Sequence, residues 1–260
     1  MDTSLPCLTL AQNTKHSLTP AYDVASLTLL LSTPTTLLLG LFYSIAPSTL
    51  LSTTLSSILS AATPYYFLRP LSPSHTPSTA PKSALRNRPI LTDLYTTLFT
   101  SLLSSAIFAV LLEASFATFL PEFLISHFTG LRTIEAAHLG PSGLPTLLLA
   151  LLPAGVAAQE YIFAPSTATP RAGAEDFDAV TASFAAHVYH NAWGWYSARQ
   201  KELITRTTLL TALIVAQTVL HVGGTIHGVD LQGAAGYAGI WASGVVLVGV
   251  VLDWVGGPSD

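Results

Sequence analysis

Residues 24–68 read VASLTLLLSTPTTLLLGLFYSIAPSTLLSTTLSSILSAATPYYFL and contain no Asp, Glu, Lys or Arg. About 20 predominantly apolar residues cross a bilayer as a helix. These 45 residues therefore suffice for two spans, joined near residues 44–48, where Pro47 and small polar residues favour a turn. The second span, about 49 to 68, is the weaker because it is rich in Ser and Thr and carries Pro64. A re-entrant or interfacial helix is the alternative for it.

The rest of the chain repeats this pattern of uncharged runs. The further runs cover residues 94–112 with an extension past Glu113 to Leu120, then 139–159, 207–229 and 231–252. Only 9% of all residues are charged and the mean hydropathy is +0.54, whereas soluble domains carry about a quarter of charged residues. The runs reach span length and are apolar around most of their circumference, unlike the helices of a soluble core. The sequence therefore predicts an all-α, polytopic transmembrane helical bundle of about six spans.

The charged and proline-rich segments divide the chain further. The predicted organisation is a polar N-terminus over 1–23, a first transmembrane hairpin over 24–68, a Pro/Ser/Thr-rich linker over 69–92, the third and fourth spans over 93–165 with an interfacial loop over 119–142, a loop over 166–206, the fifth and sixth spans over 207–255, and a C-terminus over 256–260. The linker lacks apolar periodicity and is expected to be disordered or extended. Apolar residues at helical spacing predict interfacial amphipathic helices in both loops, one over about 175–205 and one within 119–142.

The positive charges predict an orientation. Six spans place nine Lys and Arg residues on one side of the membrane and one, Arg132, on the other. Lys and Arg in short loops mark the cytoplasmic face, so both termini are expected to be cytoplasmic. The polar first twenty residues lack the apolar segment of a cleaved signal peptide. An endomembrane such as the endoplasmic reticulum is the expected location.

A few polar residues interrupt the spans. Ionisable residues inside a bilayer are costly and indicate function by default. Glu113 and His221 both fall in the half of their spans that is predicted to be non-cytoplasmic, and Gln217 and His227 lie on the same span as His221. A Glu–His couple can carry a proton or hold a cation. The alternative is that Glu113 extends to the interface and His221 makes one interhelical hydrogen bond. Gln159 and Glu160 are interpreted as the boundary of span four.

Small residues predict how the last two spans pack. Ala235, Gly239 and Ser243 recur every four residues in span six, and Gly224 and Gly228 have the same spacing at the end of span five. Such residues let membrane helices approach closely. We expect a tight antiparallel hairpin, with homodimerisation through the small residues as the alternative.

Metal, cofactor and nucleic-acid sites are not indicated. Glu135-x-x-His138 is only half of the carboxylate–histidine pattern of di-iron bundles, which need a second pair. His187 and His190 have a spacing that allows a shared metal, but histidines in a surface helix need none. The basic residues form no stripe, which argues against nucleic acid as a partner. No cofactor is expected.

Three classes of function are compatible with these features. No nucleophile elbow, phosphate-binding loop, metalloprotease motif or dinucleotide glycine pattern occurs in the sequence, so an enzyme is disfavoured. The sequence favours a structural or adaptor membrane protein whose partners are the lipid bilayer and other membrane proteins. The first alternative is a small transporter or channel that uses Glu113 and His221. The second is a lipid-modifying enzyme with its site between Glu122 and His138.

Overall fold

The computed structural model describes residues 21–78, 85–170 and 183–257. About 82% of these residues are helical, and they contain no β-strand. One isolated antiparallel bridge joins Phe128 to Val229. The prediction of an all-α helical bundle is confirmed.

Ten α-helices run through the described part of the chain. They are α1 Ala21–Phe42, α2 Pro47–Leu68, α3 Arg88–Thr92, α4 Leu94–Thr118, α5 Leu120–His127, α6 Leu144–Ala158, α7 Ala164–Ala168, α8 Phe184–Tyr189, α9 Ala198–Thr225 and α10 Leu231–Val255. Two 3-10 turns, Glu135–His138 and Gly140–Gly143, precede α6, and two π-helical turns, Gln159–Phe163 and His190–Gly194, follow α6 and α8.

Five helices are long and apolar enough to cross a membrane. They are α1, α4, the continuous helix Gly140–Ala168, α9 and α10. The sixth predicted span corresponds to α2, which has 22 residues but is not in this set. The reason is its high Ser and Thr content, the property that makes it the weakest span in the sequence.

Polar residues at the edges of the uncharged runs also begin the helices. The Asp93 carboxylate accepts hydrogen bonds from the backbone N–H groups of Tyr95 and Thr96 at the start of α4. Asp230 accepts from Gly233 at the start of α10, and Ser197 forms a capping box with Gln200 at the start of α9. Each satisfies N–H groups that lack a partner in the first turn of a helix. The same residues therefore end one segment and start the next.

The core lies where α1, α4, α6 and α10 meet. Phe42, Phe108, Leu151 and Tyr237 are fully or almost fully buried there. Helices α4 and α6 approach each other closely at Gly155, where a Cβ atom would lie 2.4 Å from the Ser101 carbonyl oxygen. A small residue is required at this crossing because the two backbones leave no room for a side chain.

The α9–α10 hairpin forms, but not through the predicted stripe of small residues. Ala235, Gly239 and Ser243 lie on the exposed face of α10. A Cβ atom added at Gly239 would meet nothing within 4 Å, whereas one at Gly249 would lie 2.7 Å from the Thr207 hydroxyl oxygen on α9. The contact between the helices uses a different side of α10, the one that carries Gly249. The prediction failed because both the lipid-facing and the protein-facing sides of a membrane helix are apolar.

The two other glycines of that prediction also lie outside the helix contact. Gly224 has open space around its Cα atom, with no atom within 4 Å of an added Cβ. Gly228 adopts a φ of +84°, which glycine accepts without strain. Its carbonyl oxygen accepts a hydrogen bond of 2.8 Å from the backbone N–H of Thr129. Gly228 therefore shapes the turn between α9 and α10.

The predicted amphipathic helices are shorter than expected. The predicted helix over about 175–205 begins in residues that lie outside the described ranges. Its remainder is a short helical segment from Phe184 to Gly194, which ends before α9 begins at Ala198. Phe184 and Val188 are exposed on it. On the other loop, α5 buries Leu120 and Leu124 in the bundle core.

The loops fall at two ends of the bundle. The N-terminus of α1, residues 69–78 and the start of α9 meet at one end, which we call the ionic end because Asp23, His75 and Arg206 bond there. The opposite end joins Phe42 to Arg132 through a backbone hydrogen bond of 2.9 Å. Which of the two ends faces the cytoplasm stays a prediction.

Candidate functional site

Glu113 and His221, the main candidates from the sequence, lie against different parts of the bundle. Glu113 is half-buried on α4, and its Oε2 atom lies beside Gly143, 3.9 Å from where a Cβ of residue 143 would stand. His221 is exposed on α9, and its Nε2 atom accepts a hydrogen bond of 2.7 Å from the Gln217 side-chain amide. Helix α4 packs on α6 and α10, whereas α9 packs on α10 and α1. The partner of His221 is therefore Gln217, and an ion-carrying role for these residues stays a prediction.

His227 lies exposed in the turn at the opposite end, beside a second polar contact. The His127 Nδ1 atom of α5 donates to Asp230 Oδ2 at 2.9 Å. This hydrogen bond and one from the Gly233 N–H lower the pKa of Asp230. Asp230 thus caps α10 and holds α5 against the turn that contains His227.

The histidines considered for metal binding form no metal site among the described residues. Within residues 21–78, 85–170 and 183–257, no group of three or more His, Cys, Asp or Glu side chains is placed to hold a metal ion. The His138 ring bonds to the carbonyl oxygen of Ile134 at 3.0 Å, and Glu135 is exposed. His187 lies on α8 and His190 begins the π-helical turn after it.

A buried ionic network, which the sequence did not predict, lies at the ionic end. Asp23 in the first turn of α1 and the side chain of His75 are 1% and 2% exposed. The His75 Nε2 atom donates to Asp23 Oδ1 at 3.0 Å, and its Nδ1 atom donates to Glu160 Oε2 at 2.9 Å. Both ring nitrogens are donors only when the imidazole is protonated. His75 therefore sits as a cation between two carboxylates.

Arg206 of α9 supplies the second cation of this network. Its Nη1 atom donates to Asp23 Oδ2 at 3.0 Å and to the carbonyl oxygen of Tyr161 at 3.1 Å. Its Nε atom donates to Glu202 one turn earlier on the same helix. The guanidinium also lies over the Tyr161 ring, 5.2 Å from the centroid. The network thus ties α9 to α1 and to the helix that follows α6.

The electrostatics of the network favour the charged form of His75. Burial alone would lower the pKa of this histidine. The hydrogen bonds and charges of Asp23 and Glu160 outweigh burial and raise the pKa to about 9. The network joins two cationic side chains, His75 and Arg206, to the carboxylates of Asp23, Glu160 and Glu202. Each buried charge is paired, as the low-dielectric surroundings require.

The π-helical turn Gln159–Phe163 places two of these partners. A π turn widens the helix by one residue and is frequent at functional sites. It contains Glu160, which bonds His75, and Tyr161, whose carbonyl oxygen accepts from Arg206. The helix itself does not end at Gln159 and Glu160 but continues to Ala168, and the interpretation of these residues as the membrane boundary of span four stays a prediction.

Residues 69–78 are folded against the bundle, contrary to the expected disordered linker. The His75 backbone N–H donates to the Ser72 carbonyl at 3.0 Å, and the Ser72 and Ser74 hydroxyls bond each other at 2.9 Å. Ser74 is buried, and the rings of Tyr22 and His75 stack at a centroid distance of 5.2 Å. The two carboxylates that bind His75 explain this docking. Residues 79–84, also within the predicted linker, lie outside the described ranges.

A weak sequence signal for the network exists in the charges at the span edges. Asp23 begins the first uncharged run and Arg206 precedes the fifth. Because six antiparallel spans bring these two edges to one end, an acidic and a basic residue there are candidates for an ion pair. His75 carries no such signal, since its Pro/Ser/Thr-rich surroundings do not distinguish it from a solvated linker.

Helix α2 has a different character from every other long helix. None of its residues is buried, and it packs along α1 at the edge of the bundle. Ser52, Ser56 and Ser60 recur every four residues, and together with Leu55 and Leu59 they line a shallow groove on its outer face. The hydroxyls of Ser52 and Ser60 donate to carbonyl oxygens of α2 itself. We call this outer face the serine face.

Comparisons with known proteins identify a family. A family model described as the Bouquet formation protein 3 C-terminal domain matches residues 93–255. The match covers α4 to α10 and leaves out α1, α2 and residues 69–78. No curated protein and no solved structure shows a significant match. Because the matched region spans more than half of the chain, the protein belongs to the Bouquet formation protein 3 C-terminal domain family.

Proposed function

We propose that this protein is a structural or adaptor component of a eukaryotic endomembrane, and that it holds a partner membrane protein through the serine face of α2. The observation that carries the proposal is that α2 has the length of a span but buries no residue. A helix that contributes nothing to the core of its own bundle is available to a partner. The five more apolar helices are the membrane anchor of the adaptor.

The chemistry of the serine face suits another membrane helix. Inside a bilayer, helices associate through close packing of small residues and through hydrogen bonds, because lipid is as apolar as the helices themselves. Ser52, Ser56 and Ser60 provide small residues at the required spacing, and Leu55 and Leu59 flank them. A partner helix with its own small residues would fit this groove.

Family membership supports the non-enzymatic side of the proposal. The family description names a formation process and no chemical reaction. The match also leaves α1 and α2 outside the shared region, so α2 is an element that this chain carries in addition to it. A partner bound by α2 would therefore be a feature of this chain's own N-terminal part.

The orientation follows from the positive charges. We place the ionic end and both termini on the cytoplasmic side, because nine of the ten Lys and Arg residues belong to segments predicted for that side. Residues 69–78, which His75 docks against the bundle, would then lie at the cytoplasmic surface.

The proposal can be tested by capture from native membranes. The tagged full chain is solubilised gently, and its partners are quantified for the wild type and for a variant with Ser52→Leu, Ser56→Leu and Ser60→Leu. We expect the wild type to capture one partner protein in stoichiometric amount. The triple variant should capture at least about tenfold less of it, which corresponds to a loss of about 1.4 kcal/mol of binding free energy.

The matched control is Ser243→Leu, which changes an exposed serine on α10 in the predicted stripe. It should leave capture unchanged. Retention of the partner by the triple variant would contradict the proposal. Loss of the partner in Ser243→Leu alone would assign docking to α10 instead.

A further inference from the structure

A groove runs along the outer surface between α9 and α10. Its volume is about 800 Å³, within the usual range of ligand sites. Thr207, Thr211 and Val215 line it on α9, and Val246, Val250 and Asp253 line it on α10. Both helices are long and apolar enough to cross the membrane. A groove that opens sideways between them therefore opens to lipid.

One end of the groove lies at the depth of the lipid head groups. Trp254, next to Asp253, is 82% exposed, and exposed tryptophans concentrate at the membrane–water interface. From Leu203 near this end to Val215, α9 rises by about 18 Å at 1.5 Å per residue. The groove therefore extends from the interface well into the hydrocarbon layer, with polar residues at the shallow end.

The charge that faces outward at the shallow end is negative. Arg199 pairs with Asp253 at 2.7 Å, but the two side chains are 3% and 35% exposed. The guanidinium also donates to the carbonyl oxygens of Asp253 and Gly257, which hold it inside. A molecule in the groove therefore meets the Asp253 carboxylate.

Two buried polar groups near this end lack a hydrogen-bond partner within the described ranges. The Thr207 hydroxyl is one of them, and Thr207 is more than nine-tenths buried on the floor of the groove beside Gly249. The Nε and Nη1 atoms of Arg199 are the other, but Arg199 does not line the groove, so the Thr207 hydroxyl is the one that a molecule in the groove can reach. Unsatisfied buried polar groups are rare in native proteins and call for an explanation such as a missing ligand.

We propose that this groove binds one phospholipid with an ammonium head group of the ethanolamine type. Its acyl chain lies along Thr211, Val215 and Val246, and its ammonium group bonds the exposed Asp253 carboxylate. The ester and phosphate oxygens, which are hydrogen-bond acceptors, lie on the level of the Thr207 hydroxyl. The lipid thus supplies a partner to the Thr207 hydroxyl and to the Asp253 carboxylate, which both line the shallow end.

The charge of Asp253 selects between lipids of the same chain length. A primary ammonium donates three hydrogen bonds and carries a positive charge. A glycerol head group on the same phosphate donates hydrogen bonds only through uncharged hydroxyls and leaves the lipid with a net negative charge beside a carboxylate. Preference for the ethanolamine head group over the glycerol head group is therefore the signature of the proposed site.

The test uses the full chain reconstituted in phosphatidylcholine vesicles that contain a phosphatidylethanolamine with a photoactivatable acyl chain. After illumination, the labelled peptides are mapped and the label per protein is measured with unlabelled competitors. We expect labelling to concentrate in residues 203–215 and 246–253. Unlabelled phosphatidylethanolamine should compete about tenfold better than phosphatidylglycerol, the scale of one charge-assisted hydrogen bond.

Variants separate the groove from the general lipid surface. Val250→Trp fills the groove from its exposed side and should reduce labelling about fivefold or more, a loss of roughly 1 kcal/mol. Leu247→Trp is the matched control, because Leu247 is exposed on α10 but does not line the groove. Size-exclusion elution and helical content verify that both variants are folded.

The competition experiment on the wild type does not depend on any variant. Equal competition by phosphatidylethanolamine and phosphatidylglycerol would overturn the proposal. Even labelling along all lipid-facing helices would overturn it too, as would equal loss of label in Val250→Trp and Leu247→Trp.

Discussion

Helices α2 and α10 have nearly the same length, 22 and 25 residues, and opposite roles in the bundle. Eleven residues of α10 are buried, and none of α2 is. Both come from charge-poor stretches that predict a span. The length of an apolar run therefore indicates where a helix can cross a membrane, whereas burial indicates what holds the bundle together.

The same contrast follows the limits of the family match. Helix α10 lies within the matched residues 93–255, and α2 lies outside them. Helix α1 is also outside, yet it buries Leu30, Leu38 and Phe42 in the core and Asp23 in the ionic network. Helix α1 thus attaches α2 to the family domain, and the ionic network is part of this attachment.

The largest effect is expected when the attachment of α1 is broken. Asp23→Ala removes the carboxylate that Arg206 and His75 share and leaves both cations partly paired with Glu202 and Glu160. Breaking a buried ion pair costs about 3–5 kcal/mol. Because both cations keep one carboxylate partner, we expect the free energy of unfolding to fall by about 3 kcal/mol, the lower end of this range. Thermal unfolding of the purified protein in detergent, followed by circular dichroism, measures it.

Glu122→Ala serves as the control for this variant, because Glu122 is exposed on α5. It should change the free energy of unfolding by about 0.5 kcal/mol or less. Equal stability of the Asp23→Ala and Glu122→Ala variants would show that the network does not hold α1.

A related effect is expected from pH through His75. Its pKa is raised from 6.5 to about 9 in the folded protein, so protonation stabilises the fold. This contribution is fully present below about pH 6.5 and is lost as the pH rises through about 9. At about 1.4 kcal/mol per pKa unit, it amounts to roughly 3 kcal/mol.

The measurement compares the melting temperatures of the wild type and His75→Gln between pH 6 and pH 10. The wild type should lose more stability over this range, because the variant retains the other titrating groups but not the histidine. Parallel pH curves for the two proteins would refute the proposed role of the charged imidazole.

A smaller effect is expected from two glycines in helices. Gly155→Ala places a Cβ atom 2.4 Å from the Ser101 carbonyl oxygen, and overpacking of this kind costs about 1–3 kcal/mol. Gly239→Ala meets no atom within 4 Å and should be neutral or stabilising, because alanine favours a helix over glycine by about 1 kcal/mol. Unfolding in a denaturant series compares the two variants. The reverse order of stability would mean that the predicted stripe of α10 is the packed face after all.

The smallest effect on stability is expected on the serine face. Ser56→Leu should change the free energy of unfolding by about 0.5 kcal/mol or less, since no residue of α2 is buried. Circular dichroism on the purified protein measures this. A loss of stability as large as that of Gly155→Ala would assign α2 to the core and remove the reason to propose it for a partner.

The positions of the helices could be predicted from the sequence because the bilayer imposes a length on each uncharged run. The runs at 94–112 and 231–252 correspond to α4 and α10, and Asp93 and Asp230 begin these helices as caps. The number of long helices follows from the same pattern. The count is five rather than six because α2, which is rich in Ser and Thr, is not apolar enough to be counted as a span.

The sides of the helices could not be predicted in this way. In water, hydropathy distinguishes the buried side of a helix from the exposed side. In a bilayer both sides are apolar, so Gly239 and Gly155 look alike in the sequence although one faces outward and the other an adjacent backbone. The same limit explains why Glu113 and His221 could be proposed as a pair.

The ionic network required information over long separations. Asp23 and His75 are 52 residues apart, and Asp23 and Arg206 are 183 apart. Local composition around His75 indicates an extended linker, and the two carboxylates that dock it lie on other elements. Only the order of the helices in the bundle brings these groups together.

The most direct test of whether α2 holds a partner protein is crosslinking from the serine face in native membranes. A photoreactive residue at position 56 of α2 is compared with one at position 247 of α10, where Leu247 is also exposed. We expect a single protein adduct from position 56 and only lipid adducts from position 247. Lipid adducts alone from both positions would contradict the proposal that α2 holds a partner protein.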